Sequence, residues 1–208
     1  MSARDDILAS IRENRPRASR PLPDVPLFDA RRPASLLPAF KESLERMGGL
    51  ILDPPAAGDV LAPVRTKIAG AKVVCSTVPE IAGNRDIGIG APQELADVDF
   101  AIVRAAFAVA ETGSVLLTDS ELHVNAVAYL AQHLIVLLDP ADIVVNIHHA
   151  YGRPEFRSRR YASFHTGPSA TADIEGVLIH GAQGVRSFSV LPLARASARP
   201  AIEQSSGA

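Results

Sequence analysis

The stretch His133-Leu-Ile-Val-Leu-Leu138 has no polar residue after its first position. A strand wetted on one face alternates polar and apolar side chains, so an unbroken run belongs to a strand covered on both faces. Such strands sit in parallel sheets, whose neighbours are joined by long crossovers, usually helical. The flanks fit that demand. Residues 121–132 read as a helix with Leu122, Val127 and Leu130 inward. After the strand, Asp139-Pro140 opens a second helix through about Ala150, with proline at the first helical position.

Working outward, the alternation continues. Leu37, Phe40, Leu44 and Met47 recur at helical spacing and end at Gly48-Gly49, a C-terminal stop. Residues 50–52 (LIL) are a short strand, 59–70 a helix with Leu61, Val64 and Ile68 inward, and 71–77 (AKVVCST) a strand. Val98 to Ala101 begin another strand, and Val115 to Leu117 are a further buried run. Residues 176–181 and 187–193 read as a closing hairpin. Helices alternating with apolar strands imply an α/β fold, a layered and mostly parallel sheet with helices on both faces.

Three segments follow. Residues 1–34 form an N-terminal helix and a proline-rich arm, 35–193 the body, and 194–208 a frayed tail. Ser2 can cap a helix whose Ile7, Leu8 and Ile11 share one face. Between residues 15 and 34 stand five prolines and five arginines, an extended arm because proline fixes φ and removes a donor. The arm is a linker or wraps a neighbouring subunit, so a homo-oligomer stays open.

A net charge of −2 argues against nucleic-acid or anionic-membrane partners. The apolar run 134–138 is far too short to span a bilayer, and the N-terminus lacks a signal-peptide core, so the chain reads as cytoplasmic. One cysteine, Cys75, can build neither a disulfide nor an iron–sulfur cluster on this chain, and in an apolar strand it reads as inert core. No histidine pair has the i, i+4 spacing of a helical metal site, so no metal is expected.

Chemistry concentrates in two stretches. In AVAETGSVLL (108–117), Glu111-Thr112-Gly113 interrupts two buried runs. Gly113 permits a positive φ or a close backbone approach. Thr112, Gly113 and Ser114 can offer donors to an anion or carbonyl oxygen. Glu111, if its apolar flanks shield it, would be a raised-pKa acid, base or nucleophile. The structural alternative is a carboxylate that accepts hydrogen bonds from a neighbouring turn. In HTGPSATADIE (165–175), Gly167-Pro168 is a turn, and Ser169 can cap a helix holding Thr171 and Asp173 in its first turn. Free N–H groups there would suit an anion, although acidic residues in that turn oppose one. The arginine run 152–161 reads as a solvated loop or a phosphate dock.

These motifs, AVAETGSVLL, HLIVLL and TGPSATADIE in that order, resemble the LUD domain family, lactate-utilisation proteins of the LutC/YkgG type. The opening DDILASIREN and the proline-rich arm are also similar to that family's N-terminus. The resemblance implies a fold like that of phosphosugar isomerases, glucosamine-phosphate deaminases and coenzyme A transferases (NagB/RpiA/CoA transferase-like). It also implies a role in bacterial oxidation of L-lactate to pyruvate beside iron–sulfur oxidoreductase subunits. Without cluster cysteines this chain resembles the stand-alone accessory component, with its cofactor unspecified. Ala170 stands where the family usually has arginine, and Gln183 where it tends to have histidine, which removes a cation and a titratable ring.

Three readings result. One is an accessory component binding a small anionic ligand at a Glu111 crevice, with Thr112, Gly113 and Ser114 as donors and Gly167, Ser169, Thr171 and Asp173 across the cleft. The second is a transferase or isomerase-like enzyme with Glu111 as nucleophile or base. The third is a non-catalytic interaction protein.

Overall fold

The computed structural model describes residues 2–16, 21–88, 91–173 and 176–195. Five strands, all parallel, make the central sheet: β1 (Leu50–Ile51), β2 (Val74–Ser76), β3 (Phe100–Arg104), β6 (His133–Leu138) and β11 (Ser187–Pro192). Their spatial order is β1-β11-β6-β3-β2. The run that decides the fold, β6, lies at the centre, with Leu134 opposite Phe188 on one side and Ala101 on the other. All of Leu134 to Leu138 is fully buried.

A second sheet has the order β7-β4-β5-β8, from β4 (Phe107–Val109), β5 (Ser114–Thr118), β7 (Ile143–Val144) and β8 (Ala162–His165). β4 and β5 form an antiparallel hairpin closed by residues 110–113. Side-chain alternation divides the core into layers. Ile102, Ile135, Leu137 and Leu191 face the helix α3 (Ala62–Ile68), which contributes Val64. Ala101, Leu134, Val136 and Phe188 face the other way, onto Ala108, Val115 and Leu117 of the hairpin and Phe40 and Leu44 of α2 (Leu36–Arg46). The far side of the second sheet, Phe107, Val109 and Leu116, is covered by α6 (Ile147–Gly152) and α7 (Pro154–Arg157) through Ala150 and Phe156. The mostly parallel α/β sheet expected from sequence is present. One of its faces, however, is covered largely by a second sheet, because the apolar runs around 107–117 pair with each other as a hairpin.

Several local expectations change. The helix expected over 121–132 is two short ones, α4 (Asp119–Leu122) and α5 (Val127–Leu130), broken at His123 with φ 58°. Leu122 and Val127 are both fully buried, and in one continuous helix they would sit about 140° apart. The break turns both inward. The helix expected from Asp139 to Ala150 is a 3₁₀ turn (Pro140–Asp142), the strand β7, and α6 capped by Asn146. Ile143-Val144-Val145 is β-branched, unfavourable in a helix, and its first two residues pair instead with Ala108 and Val109. The closing hairpin does not form either. Ile179–His180 (β10) pairs with Ala170–Thr171 (β9), and β11 lies between β1 and β6. The core of SFSVLPL is buried on both faces, so the argument that centres β6 applies to β11 too.

The N-terminal helix α1 (Ala3–Asn14) forms as expected, with Ser2 and Asp5 as a reciprocal capping box. It buries no residue, and Ile7 and Ile11 are each 60% exposed. At the other end Arg195 is tied down, its N–H donating to Asp139 (2.7 Å) and its guanidinium to Asp142 and the Ala105 carbonyl (3.0 Å each). Frayed structure is therefore not seen at 194–195, and the tail from 196 lies outside the described residues. No described helix is long and apolar enough to cross a membrane.

Candidate functional site

Glu111 stands at the tip of the β4–β5 hairpin and is exposed. Its apolar neighbours point into the core and leave it outside, so they do not shield it from solvent. One carboxylate oxygen accepts from the Ile147 N–H at 3.2 Å, beside Asn146, the cap of α6. The adjoining backbone is zipped to the same segment, Ala110 N–H to the Val144 carbonyl and Glu111 N–H to the Val145 carbonyl (2.9 and 3.1 Å). To this extent Glu111 is a structural carboxylate.

Gly113 and Gly167 both have positive φ, 65° and 62°, and both lie against the end of α2. A Cβ on Gly113 would sit 2.6 Å from Leu44 Cα, and one on Gly167 would sit 2.9 Å from the Met47 carbonyl carbon and closer to its oxygen. Thr166 joins the two motifs, its hydroxyl donating to the carbonyls of Gly113 (3.0 Å) and Thr112 (3.4 Å). The Glu-Thr-Gly and Thr-Gly-Pro turns thus form a clamp around the last turn of α2. The Gly113 N–H is spent on the Val109 carbonyl, and Ser114 is buried in β5 opposite Val109. Thr112 Oγ1 is buried and has no hydrogen-bond partner among the described residues.

The clamp separates two hollows. The first, about 360 Å³, is lined by Phe28, Arg31, Ser43, Arg46, Glu111 and Asn146 among others. It continues into a neighbouring space bounded by Phe28, Arg31, Glu111, Asn146 and His148. Its outer wall is the end of the proline-rich arm, which is latched to α6. Asn146 accepts from the N–H groups of His148 and His149 (3.0 and 3.1 Å) and donates to the Leu27 carbonyl (2.7 Å). Phe28, held at φ 54°, rests its ring 4.6 Å from that of His148, and Asp29 meets His149 Nε2 at 2.7 Å. This part of the arm folds onto its own chain. Arg31 and Arg46 make no ion pair among the described residues, although Glu42 and Glu111 line the same hollow.

The second hollow, about 260 Å³, is lined by Tyr129, Phe164, His165, Gly167, Ser169 and Gln183 among others. Through Ser169 and Gln183 it meets a larger space of about 590 Å³ bounded by Ala170, Thr171, Asp173 and Ala182. Ser169 caps no helix. It leads into β9, with its N–H on the Val185 carbonyl, because the segment is recruited into the β9–β10 ribbon. The two hollows have no lining residue in common. The single crevice expected between Glu111 and Ser169 is therefore two, since α2 and Thr166 fill the space between them. Ala170 and Gln183, the two departures from the family pattern, border the same space. Burial pushes His165 down to about 4, so its ring is neutral near pH 7. Tyr161, half-buried and hydrogen-bonded to Tyr129, is pushed up to about 12.

Arg31, Arg46, Asn146 and Tyr129 were not singled out from sequence. Only the Asn before IHHAYG carries a local signal, that of a helix cap. Arg153, from the basic run, pairs with Glu155 and sits over the Phe107 ring at 5.3 Å, so it packs rather than docks a ligand. Cys75 is fully buried in β2, and burial pushes its thiol up. Among the described residues no three His, Cys, Asp or Glu side chains converge as metal ligands would.

Fold and site together define an α/β protein with a layered, mostly parallel sheet and two small hollows beside its clamp. A family model, the LUD domain, matches residues 69–191, and the chain belongs to that family. It is similar in fold to a crystal structure of a DUF162 family protein from Deinococcus radiodurans. The TM-score is 0.57 at 16% identity, covering 80% of this chain and 99% of that one. Among curated proteins nothing matches the chain.

Proposed function

We propose that this LUD-domain protein is a cluster-free accessory component of L-lactate utilisation, holding a small hydroxy- or oxo-carboxylate in the hollow beside Glu111. One observation carries the reading: two guanidinium groups without ion-pair partners among the described residues, Arg31 and Arg46, line a hollow of about 360 Å³ together with Glu111. The arginine fork suits a carboxylate, and the Glu111 carboxylate suits a hydroxyl donor on the adjacent carbon. The volume lies at the small-ligand end of ordinary binding sites. The hollow at Ser169 has no cation and is less suited to an anion. The family resemblance supplies lactate utilisation, and iron–sulfur oxidoreductase subunits are the expected partners, with the exposed face of α1 as the docking element.

The test is thermal unfolding with L-lactate and with pyruvate. At one hundred times the dissociation constant a bound ligand adds about 2.7 kcal/mol, or roughly 5–11 °C for a chain of this size. Arg31→Ala with Arg46→Ala should abolish the rise, while the unliganded midpoint falls only by the loss of the Arg46–Ser43 hydrogen bond (2.9 Å), about 1 kcal/mol. A rise that survives the double substitution, or none with either acid, would refute the site. The transferase alternative makes a different prediction, an acyl adduct on Glu111 after incubation with an acyl-coenzyme A.

A further inference from the structure

The second hollow has no part in that reading, and its chemistry differs. No lysine, arginine, aspartate or glutamate lines its smaller chamber. His165 Nε2 is buried there without a hydrogen-bond partner among the described residues. An unpaired buried nitrogen is costly, and a donor reaches this one only where the ring shifts to uncover it. The Tyr129 ring, partly exposed, lies 5.3 Å from the His165 ring and gives the chamber an aromatic face. The Ser169 hydroxyl and the Gln183 amide make no side-chain hydrogen bond among the described residues, and both border the chamber. An amide that donates and accepts side by side is the group that reads the edge of a heteroaromatic base, and aromatic walls accept its face.

Among the described residues the adjoining space adds one charge, Asp173, with Thr171 beside it. A carboxylate suits the hydroxyls of a ribose and repels a phosphate. We infer that the two chambers form a binding site for an uncharged nucleoside, the base in the chamber of Tyr129, His165 and Gln183 and the sugar beside Asp173. Ser169 and Gln183, common to both chambers, stand at the junction where base meets sugar. The ring of His165, once the base uncovers its Nε2, accepts from it as a neutral imidazole. This site shares no lining residue with the carboxylate hollow, so either can fail without the other.

The experiment is isothermal titration of the full chain with adenosine, guanosine, cytidine and uridine, with the corresponding 5′-monophosphates, and with D-ribose. At least one nucleoside should bind, its monophosphate at least tenfold more weakly, and D-ribose not measurably. Gln183→Ala and Asp173→Asn should each weaken the nucleoside about tenfold. Both residues are exposed, so the variants keep the fold. In parallel, the His165 ring signals in NMR should move on adding nucleoside while those of His149 stay. Arg31→Ala should leave nucleoside binding intact. No binding by any of the four, a monophosphate that binds as tightly, or binding indifferent to Gln183→Ala would each overturn the assignment.

Discussion

Replacing Gly167 by alanine tests the clamp on α2. The position has φ 62°, which costs a residue with a Cβ about 1–2 kcal/mol. The new methyl would also lie 2.9 Å from the Met47 carbonyl carbon and nearer its oxygen, where an ordinary contact is about 3.5–4.0 Å. Forcing such an overlap costs about a further 1–3 kcal/mol. The sum, about 2–5 kcal/mol, should lower the midpoint of thermal unfolding by roughly 10 °C at the middle of that range. Two other glycines separate the terms. Gly58 has φ 95° with nothing within 4 Å, so Gly58→Ala should carry only the conformational cost, a loss of roughly 4 °C. Gly152 has open space and no positive φ, so Gly152→Ala should be neutral or slightly stabilising. Scanning calorimetry of the three variants decides the matter. If Gly167→Ala falls no further than Gly58→Ala, the turn does not clamp α2 and the account of both motifs is wrong.

Asn146 should separate helix capping from arm binding: Asn146→Asp keeps the acceptor for His148 and His149 but loses the donor to Leu27, whereas Asn146→Ala loses both. Trypsin should cut after Arg31 faster in both variants, while only the alanine variant loses about 1–2 kcal/mol of stability; equal cleavage in the wild type would show that the latch holds nothing. Stability should also fall in acid through His165. Its folded value, about 4, lies below the ordinary 6.5, so the unfolded chain takes up the proton first. The contribution is full above pH 6.5 and is lost as pH drops toward 4, by roughly 2–4 kcal/mol in all. His165→Phe should flatten the stability–pH curve by about one proton in that window, and an unchanged slope would mean the ring is not buried in solution.

The legible parts of this protein were those where a short run of residues settles its own environment. HLIVLL could only be a strand covered on both faces, and Ser2 with Asp5 could cap a helix without help from anything distant. The apolar periodicity of α2 located its buried face at Phe40 and Leu44, although Met47, at the same spacing, is exposed past the last turn. Where local preference was nearly balanced, tertiary pairing decided. Ile143-Val144 became a strand because β4 offered a free edge, and SFSVLPL entered the interior of the sheet because β1 and β6 flank both its edges.

The site divides the same way. The motifs around 111 and 167 stood out in sequence because glycine, threonine and a carboxylate break an apolar pattern. Their joint work, gripping α2, depends on residues more than fifty positions apart. Arg31 and Arg46 could not be told from ordinary surface arginines until the arm and α2 met over one hollow. Sequence by itself determined which segments must be buried and which turns need glycine, because burial and backbone geometry act within a few residues. Only the tertiary structure decided that Glu111 and Ser169 face different hollows, because which polar groups share a space depends on what packs between them.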